Sequence, residues 1–598
     1  MLIKKRSIPN FQPNLSSIHP ILQRIYAARG IVTEEDLDKN LKSLLPFSSL
    51  TDIDKASIRL EKAIRLQERI LIIGDFDADG ATSSALAVAA LRVFGAKHVD
   101  FLVPNRFEFG YGLTKAIVEV AKKMKPQLII TVDNGIASIE GVDAANEAGI
   151  DVLITDHHLP AENLPNAYAI VNPNQVGDKF SSKSIAGVGV IFYVMLALRR
   201  QLVDSNWFKE KSISEPNMAQ FLDLVTLGTI ADVVALDKNN RILINQGLNR
   251  IRQGLCRPGI IALIEIAGRR YQNITETDLG YTVAPRLNAA GRLDDMSLGI
   301  NCLLAEDLDN AKAYAKQLNE LNTERRKIEN EMKEQALHAL DKLALNDKDN
   351  GSKLPLVLCL YDNSWHQGVI GILAGRLKEK YHRPAIIFAS AGDGELKASA
   401  RSIFNLNIRD VLADIDKDNP GLIIKFGGHA MAAGLSIKAE FFPDFKKALE
   451  LEVEKHINYS QCEGVILSDG PLQKDELNLE LATLIKESGP WGQLFPLPLF
   501  DNVFEVLDQR IVGTNHLKLT LKHPDGDTII DAIAFNIDLK FWPNHRAKYL
   551  HAAYTLDINE YQGRTKLQLI ISALNAIDDP HLQNKVEEFN YENVVLAY

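Results

Sequence analysis

The chain has 598 residues, of which 46% are hydrophobic and 24% charged, room for about four domains at roughly 150 residues each. That composition excludes disordered, collagen-like and membrane-spanning chains, and Ala186–Leu198, the longest strongly apolar stretch, falls short of the ~18 residues a membrane span needs. A formal net charge of −10 excludes a uniformly basic coat for nucleic acid, so any nucleic-acid path must be a local basic groove.

The opening Met1-Leu-Ile-Lys-Lys-Arg6 has no apolar run behind it, so no signal peptide is expected. Cys256, Cys302, Cys359 and Cys462 lack paired spacing, and a reduced, cytoplasmic setting is expected. From Ile70 the chain alternates short apolar runs with helical segments. Strands are expected at Ile70–Ile73, Val99–Val103, Gln127–Val132 and Val152–Thr155, and helices at Ala81–Phe94, Thr114–Lys123 and Ala137–Ala148. Continuous apolar strands separated by helices indicate a parallel sheet covered on both faces.

Glu306 to Leu345 contains neither Gly nor Pro, and Leu318, Leu321, Ile328, Met332, Ala336 and Leu340 recur at helical spacing. One helix of ~60 Å is expected there, followed by a linker at Asn346–Ser352. A second α/β region follows, with a strand at Leu356–Leu360 and a helix from Val369. Beyond Cys462 the pattern alternates, at His516–Lys522 and Lys566–Leu569, with a turn at Gly563. This predicts a small antiparallel β-domain.

Four polar clusters stand where strands are expected to end: Gly74-Asp75-Phe76-Asp77-Ala78-Asp79-Gly80, Asp133-Asn134-Gly135, Asp156-His157-His158, and Gly228-Thr-Ile-Ala-Asp232 after the apolar run Phe221–Leu227. The first three have ordinary readings on their own: the start of a calcium loop, a turn, a helix cap. In a parallel sheet, however, sites form beyond the carboxyl ends of the strands, which brings all four to one edge. So many carboxylates with two imidazoles would repel one another unless cations joined them. Hard oxygen ligands with some nitrogen suit Mg²⁺ or Mn²⁺, and a surplus of ligands suggests two ions, as in phosphate-ester hydrolysis.

Asp156-His157-His158, with Gly74–Gly80 upstream, resembles the DHH phosphoesterase superfamily. Pro104-Asn-Arg106, Gly187-Val-Gly189, Leu224–Leu236 and Pro285-Arg-Leu-Asn-Ala-Ala-Gly-Arg292 resemble the RecJ single-strand-specific exonucleases within it. Trp365–Gly371, Ser399-Ala-Arg401 and Gly427-Gly-His-Ala-Met-Ala-Ala-Gly434 resemble the DHH-associated domain, and Gly489-Pro-Trp-Gly-Gln493 the start of the RecJ oligonucleotide-binding fold. The resemblance covers nearly the whole chain. It implies an α/β fold: an N-terminal extension (1–50), a parallel-sheet DHH domain (51–305), a connecting helix (306–346), a smaller α/β DHH-associated domain (353–455), a C-terminal antiparallel β-barrel or OB fold (462–575) and a tail (576–598).

By the same resemblance Asp77, Asp79, Asp133, His157 and Asp232 match metal-site positions, with Asp133 bridging two divalent ions, Mg²⁺ or Mn²⁺. Asp75 supplements that site, standing near where another branch of the superfamily carries a His. His158 is a ligand or contacts the phosphate, and Asp133, His157 and His158 form the catalytic set. Arg106, Ser399 and Arg401 match positions around a 5′ phosphate, for which the Arg fork is suited. Arg286 and Asn288 are expected to line the nucleic-acid groove, and His429 a phosphate site. Two departures from the family pattern are Ala398, where Gly is common, and Phe495-Pro-Leu-Pro498, where the third residue is often Glu.

The implied activity is 5′-to-3′ exonuclease action on single-stranded DNA in repair and recombination, releasing 5′-mononucleotides. The implied partners are single-stranded DNA, a single-stranded-DNA-binding protein and a helicase, with no membrane. Two rivals are a hydrolase of pyrophosphate, cyclic dinucleotides or very short oligonucleotides, and a nucleic-acid scaffold without metals. The β-domain argues against the first and the complete ligand set against the second.

Overall fold

A computed structural model describes residues 2–9, 13–105, 112–346, 354–537, 542, 547–561, 563–578, 588–590 and 595–596. The chain forms two compact units, each built from separated pieces. One comprises Ile8–Asn322 with Leu484–Leu497, the other Met1–Ser7, Thr323–Thr483 and Pro498–Tyr598.

The first unit is organised by a five-stranded parallel sheet: β1 (Ile70–Ile73), β2 (Val99–Leu102), β3 (Leu128–Val132), β4 (Asp151–Thr155) and β5 (Ala169–Val171). β1, β3 and β5 are buried along their whole length, so their sequences are unbroken apolar runs rather than alternations. The strand order is 2-1-3-4-5, with every pair parallel. The chain leaves β1 for β2 on one side and returns to β3 on the other. In doubly wound sheets of this order the crevice for a ligand opens at that switch, beyond the carboxyl ends of β1 and β3.

Four helices frame the crevice: α1 (Ala78–Val93), α2 (Gly187–Asp204), α3 (Leu222–Ala231) and α4 (Ala284–Leu293). The apolar run Ala186–Leu198 lies in α2, whose residues from Gly187 to Met195 are all buried. Among the described residues no helix is long and apolar enough to cross a membrane. α3 corrects an expectation, because Asp232 follows a helix and not a strand. Leu222–Thr229 are buried without interruption, and a segment buried on every side carries no clear period to separate helix from strand.

The expected long helix is α5 (Leu308–Asn346), 39 residues; most of the linker expected after it lies outside the described residues. In the second unit a mixed sheet holds β6 (Leu358–Tyr361), β7 (Ala385–Gly392), β8 (Glu395–Arg401), β9 (Lys425–His429) and β10 (Ala432–Lys438), in the order 9-10-8-7-6. Helix α6 (Ile370–Tyr381) packs on it.

The same unit carries β11 (Phe500–Val512), β12 (His516–Lys522), β13 (Ile529–Ala534), β14 (Tyr549–Tyr561) and β15 (Arg564–Ile577). They pair antiparallel, and β13 closes the ring onto β15 in parallel. The result is a closed five-stranded barrel with the inward–outward alternation read at His516–Lys522. Gly489–Gln493, expected at the start of this fold, precedes β11 in the chain and packs within the first unit. There Tyr26, Trp491 and Phe495 pack against one another as three mutually neighbouring rings, and the Trp491 backbone N–H donates to the Glu276 carboxylate at 2.6 Å.

Candidate metal centre and phosphate site

The loop after β1 turns directly into α1. Asp77 is the N-cap of α1, its Oδ1 accepting from Gly80 N at 2.9 Å, so Asp79 falls in the first helical turn. Buried Asp79 meets a second helix start: its two oxygens accept from Gly187 N (2.7 Å) and Val188 N (3.0 Å) of α2. Helix N-termini favour a carboxylate in this way.

Asp133 follows β3 with φ of 60°, a left-handed conformation that an ordinary residue adopts only when its surroundings impose it. His157 after β4 places Nε2 at 3.1 Å from Asp133 Oδ1 and 3.6 Å from Asp232 Oδ2. Potential ligand atoms lie within 4.8 Å of one another in three overlapping groups: Asp75, Asp77 and Asp133; Asp79, His157 and Asp232; and Asp133, His157 and His158. Asp133 and His157 each belong to two of them.

Asp156, the first residue of the Asp-His-His motif, turns inward. Its Oδ1 accepts from the backbone N–H groups of His157 (2.7 Å) and His158 (3.1 Å) and pairs with His158 Nδ1 at 2.7 Å, while Oδ2 accepts from Ile136 N. It therefore orients both histidines without joining the donor groups. Sequence reading left it without a role, as it did the α2 amides that hold Asp79.

Two glycines let these pieces approach. A Cβ on Gly187 would fall 2.6 Å from Asp133 Cβ and Oδ1, and one on Gly228 would fall 2.7 Å from Asp79 Oδ1. Both contacts are far below ordinary van der Waals distance.

Burial, then the neighbouring charge of Asp77, lifts the Asp79 carboxyl to about 7. Burial and the surrounding aspartates likewise raise Asp133 and Asp232 far above the usual carboxylate range. Burial opposes charge on His158, but the Asp156 hydrogen bond and the charges of Asp156, Asp232 and Asp75 outweigh it and raise the imidazole to about 9. Five carboxylates and an imidazole, three of the acids shifted upward by burial and mutual repulsion, are a donor set that divalent cations relieve. The residues present fit two such ions.

Asn288 Oδ1 accepts from Ala78 N of the metal loop at 2.8 Å. Arg286, buried, donates from Nε to Asn319 Oδ1 at 3.0 Å and from Nη1 to the Thr282 carbonyl. Both were expected to line the groove, and both have partners within the protein. Arg106 lies outside the described residues.

Ser399, Arg401 and His429 form a separate constellation in the second unit. Ser399 pairs with Gly434, and Arg401 with Ala432, which in turn pairs with His429. The three side chains therefore share one sheet face across a floor of Gly and Ala. The opposite face, with Ala398, Ala400 and Leu435, packs into the core. Arg401 Nη1 donates to Ser399 Oγ at 3.1 Å.

Comparisons with known proteins agree with this architecture. The DHH family N-terminal domain matches residues 69–229, the DHHA1 domain residues 355–455 and the RecJ OB domain residues 468–573. The single-stranded-DNA-specific exonuclease RecJ of Escherichia coli (strain K12) is 49% identical over 569 residues, 95% of this chain and 98% of that protein. The crystal structure of RecJ in complex with Mn²⁺ from Thermus thermophilus matches with a TM-score of 0.76 and 27% identity, covering 94% of this chain and 77% of that one. The Mg²⁺ complex of the same protein matches with a TM-score of 0.68 and 25% identity, covering 94% and 76%. With near-identical length and half of its residues shared with a curated relative, the chain belongs to the RecJ family of DHH proteins.

Proposed function

We propose that this chain is a metal-dependent hydrolase that removes 5′-mononucleotides from the 5′ end of single-stranded DNA, in DNA repair and recombination. The observation that carries the reading is the gathering of Asp75, Asp77, Asp79, Asp133, His157 and Asp232 at the β1/β3 switch in a chain so close to a named single-strand exonuclease. The cofactors are divalent cations, Mg²⁺ or Mn²⁺.

Asp75, Asp77, Asp79, Asp133, His157 and Asp232 would hold the two ions, with Asp133, common to two donor groups, placed to serve both. Bound there, the ions would supply an activated water and neutralise charge on the leaving 3′ oxygen. The protein supplies position. Asp79 is fixed by the α2 amides, and His157 by the Asp156 carboxylate beneath its backbone. His158 donates a hydrogen bond from Nδ1–H to Asp156, which leaves Nε2–H to donate to a phosphate oxygen. Ser399, Arg401 and His429 take the 5′ phosphate, the guanidinium fork holding two oxygens. Arg286 and Asn288 act through the protein: Arg286 satisfies a carbonyl left by an irregular helical turn, and Asn288 holds the metal loop.

The protein works in the cytoplasm, and a single-stranded-DNA-binding protein and a helicase are its expected protein partners. The test follows single strands labelled at either end, with Mn²⁺, Mg²⁺ or chelator. Labelled mononucleotide appearing at once from 5′-labelled strands, and only with metal, is the expected result. Early release from 3′-labelled strands would overturn the polarity, and turnover in chelator would overturn the metal mechanism.

A further inference from the structure

Helix α4 is preceded by a π-helical turn, Leu279–Val283. Such wide turns are rare and concentrate at functional sites. Here the turn carries Tyr281 with 77% of its surface exposed, unusual for an aromatic residue in a helical element.

The turn is anchored on both sides. Thr282 Oγ1 donates to the Asp278 carbonyl at 2.6 Å, and Arg286 donates to the Thr282 carbonyl. Gly280 lies against α3, where a Cβ would meet Ile230 Cγ2 at 3.3 Å, two residues before Asp232. Val233, immediately after Asp232, is also solvent-facing at 63% exposure, with φ of 59°.

Two helical turns beyond Tyr281, on roughly the same side of the helix, Asn288 accepts from the metal loop at Ala78. Gly291 packs against the Phe76 carbonyl. The ring of Tyr281 thus stands on a rigid element, ~10 Å along the helix from a residue that touches the metal loop.

We propose that Tyr281 is a stacking platform for one nucleobase of the substrate strand. This rests on the single-strand nuclease reading. Bases of any identity present a π face, and stacking on an aromatic side chain is the sequence-tolerant way to grip a single strand.

The wild-type chain, Tyr281→Ala and Tyr281→Phe are compared on 5′-phosphorylated single strands, intact or with one abasic residue placed at each position near the 5′ end in turn. In the wild type, one abasic position is expected to raise KM roughly tenfold, the usual scale for losing a stacked base. Tyr281→Ala shows that rise on intact strands and no further penalty at that position, with kcat little changed. Tyr281→Phe keeps the wild-type pattern.

As a readout independent of turnover, 2-aminopurine at that position is quenched on binding in chelator by the wild type and not by Tyr281→Ala. A wild type with no position-specific abasic penalty overturns the proposal whatever the variants do. So does Tyr281→Ala with wild-type KM on intact strands, the result expected if the ring served a protein partner instead. A wild type that leaves intact single strands undegraded overturns the nuclease reading itself, which separates the two failures.

Discussion

Asp133 is shared by two donor groups and held in a left-handed conformation, at the centre of the candidate metal site. Asp133→Ala is expected to lower exonuclease turnover by at least about a thousandfold, the scale of a lost central electrostatic group. The metal-free variant should be as stable as the parent or more so, since one of several crowded, buried acids is gone; activity assays and thermal unfolding in chelator check both. Arg401→Ala should cost about 1.5–3 kcal/mol of recognition of the 5′ phosphate, narrowing the rate ratio between 5′-phosphate and 5′-hydroxyl strands by about 10- to 100-fold. An unchanged ratio would remove Arg401 from that role. The site also titrates. Asp79 is raised to about 7 from 3.8, and His158 to about 9 from 6.5. In each window the folded chain holds a proton that the unfolded chain has released, so stability is lost as pH rises through those windows. The midpoint of thermal unfolding in chelator should therefore fall from pH 5 to pH 8, by a few kcal/mol at most in stability. Saturating Mn²⁺ should flatten or reverse the fall, and a midpoint that rises in chelator would contradict it.

Helix α2 shows how an element acts at a distance in sequence. Its first two amides hold Asp79, which is 108 residues away from Gly187, and the missing side chain of Gly187 leaves room for Asp133. Gly187→Ala should weaken Mn²⁺ binding by about 10- to 100-fold, as lost supporting contacts around metal ligands do. Overpacking should cost about 1–3 kcal/mol of stability, measured by metal titration calorimetry and by unfolding. The clusters after β1, β3 and β4 were legible because ligand and strand end are neighbours in sequence, and a continuous apolar run announces a strand buried on both faces. Three features were not legible. The α2 amides carry no side-chain signature. Asp232 itself was marked, but the helix before it is buried on every side and its sequence has no clear period. The three-residue strand Ala169–Val171 is too short to form a pattern. Arg286 shows the converse limit: a motif marks it, yet the structure engages its guanidinium with Thr282 and Asn319.

At the scale of the molecule, the barrel places Arg510 directly opposite Lys518 on its outer side, a like-charge pair that weakens a sheet unless a polyanion lies across it. Replacing both by Ala should leave stability unchanged or slightly raised. It should also make the fall of single-strand affinity with salt shallower by about 1.4 in log–log slope, two phosphates at roughly 0.7 each; equal slopes would take this face out of the DNA path. The piecewise build of the two units also bears on synthesis. Leu2–Lys5 is the central strand of a small sheet with Val465–Ser468 and Glu588–Asn590, and the Tyr26–Trp491 stack closes the unit that holds the metal centre. On a ribosome adding about 5–20 residues per second, the first strand waits roughly 25–90 s for its first partner and roughly 30–120 s for its second. The nascent chain is therefore vulnerable to aggregation at its very beginning, and neither unit can be completed until most of the message has been read.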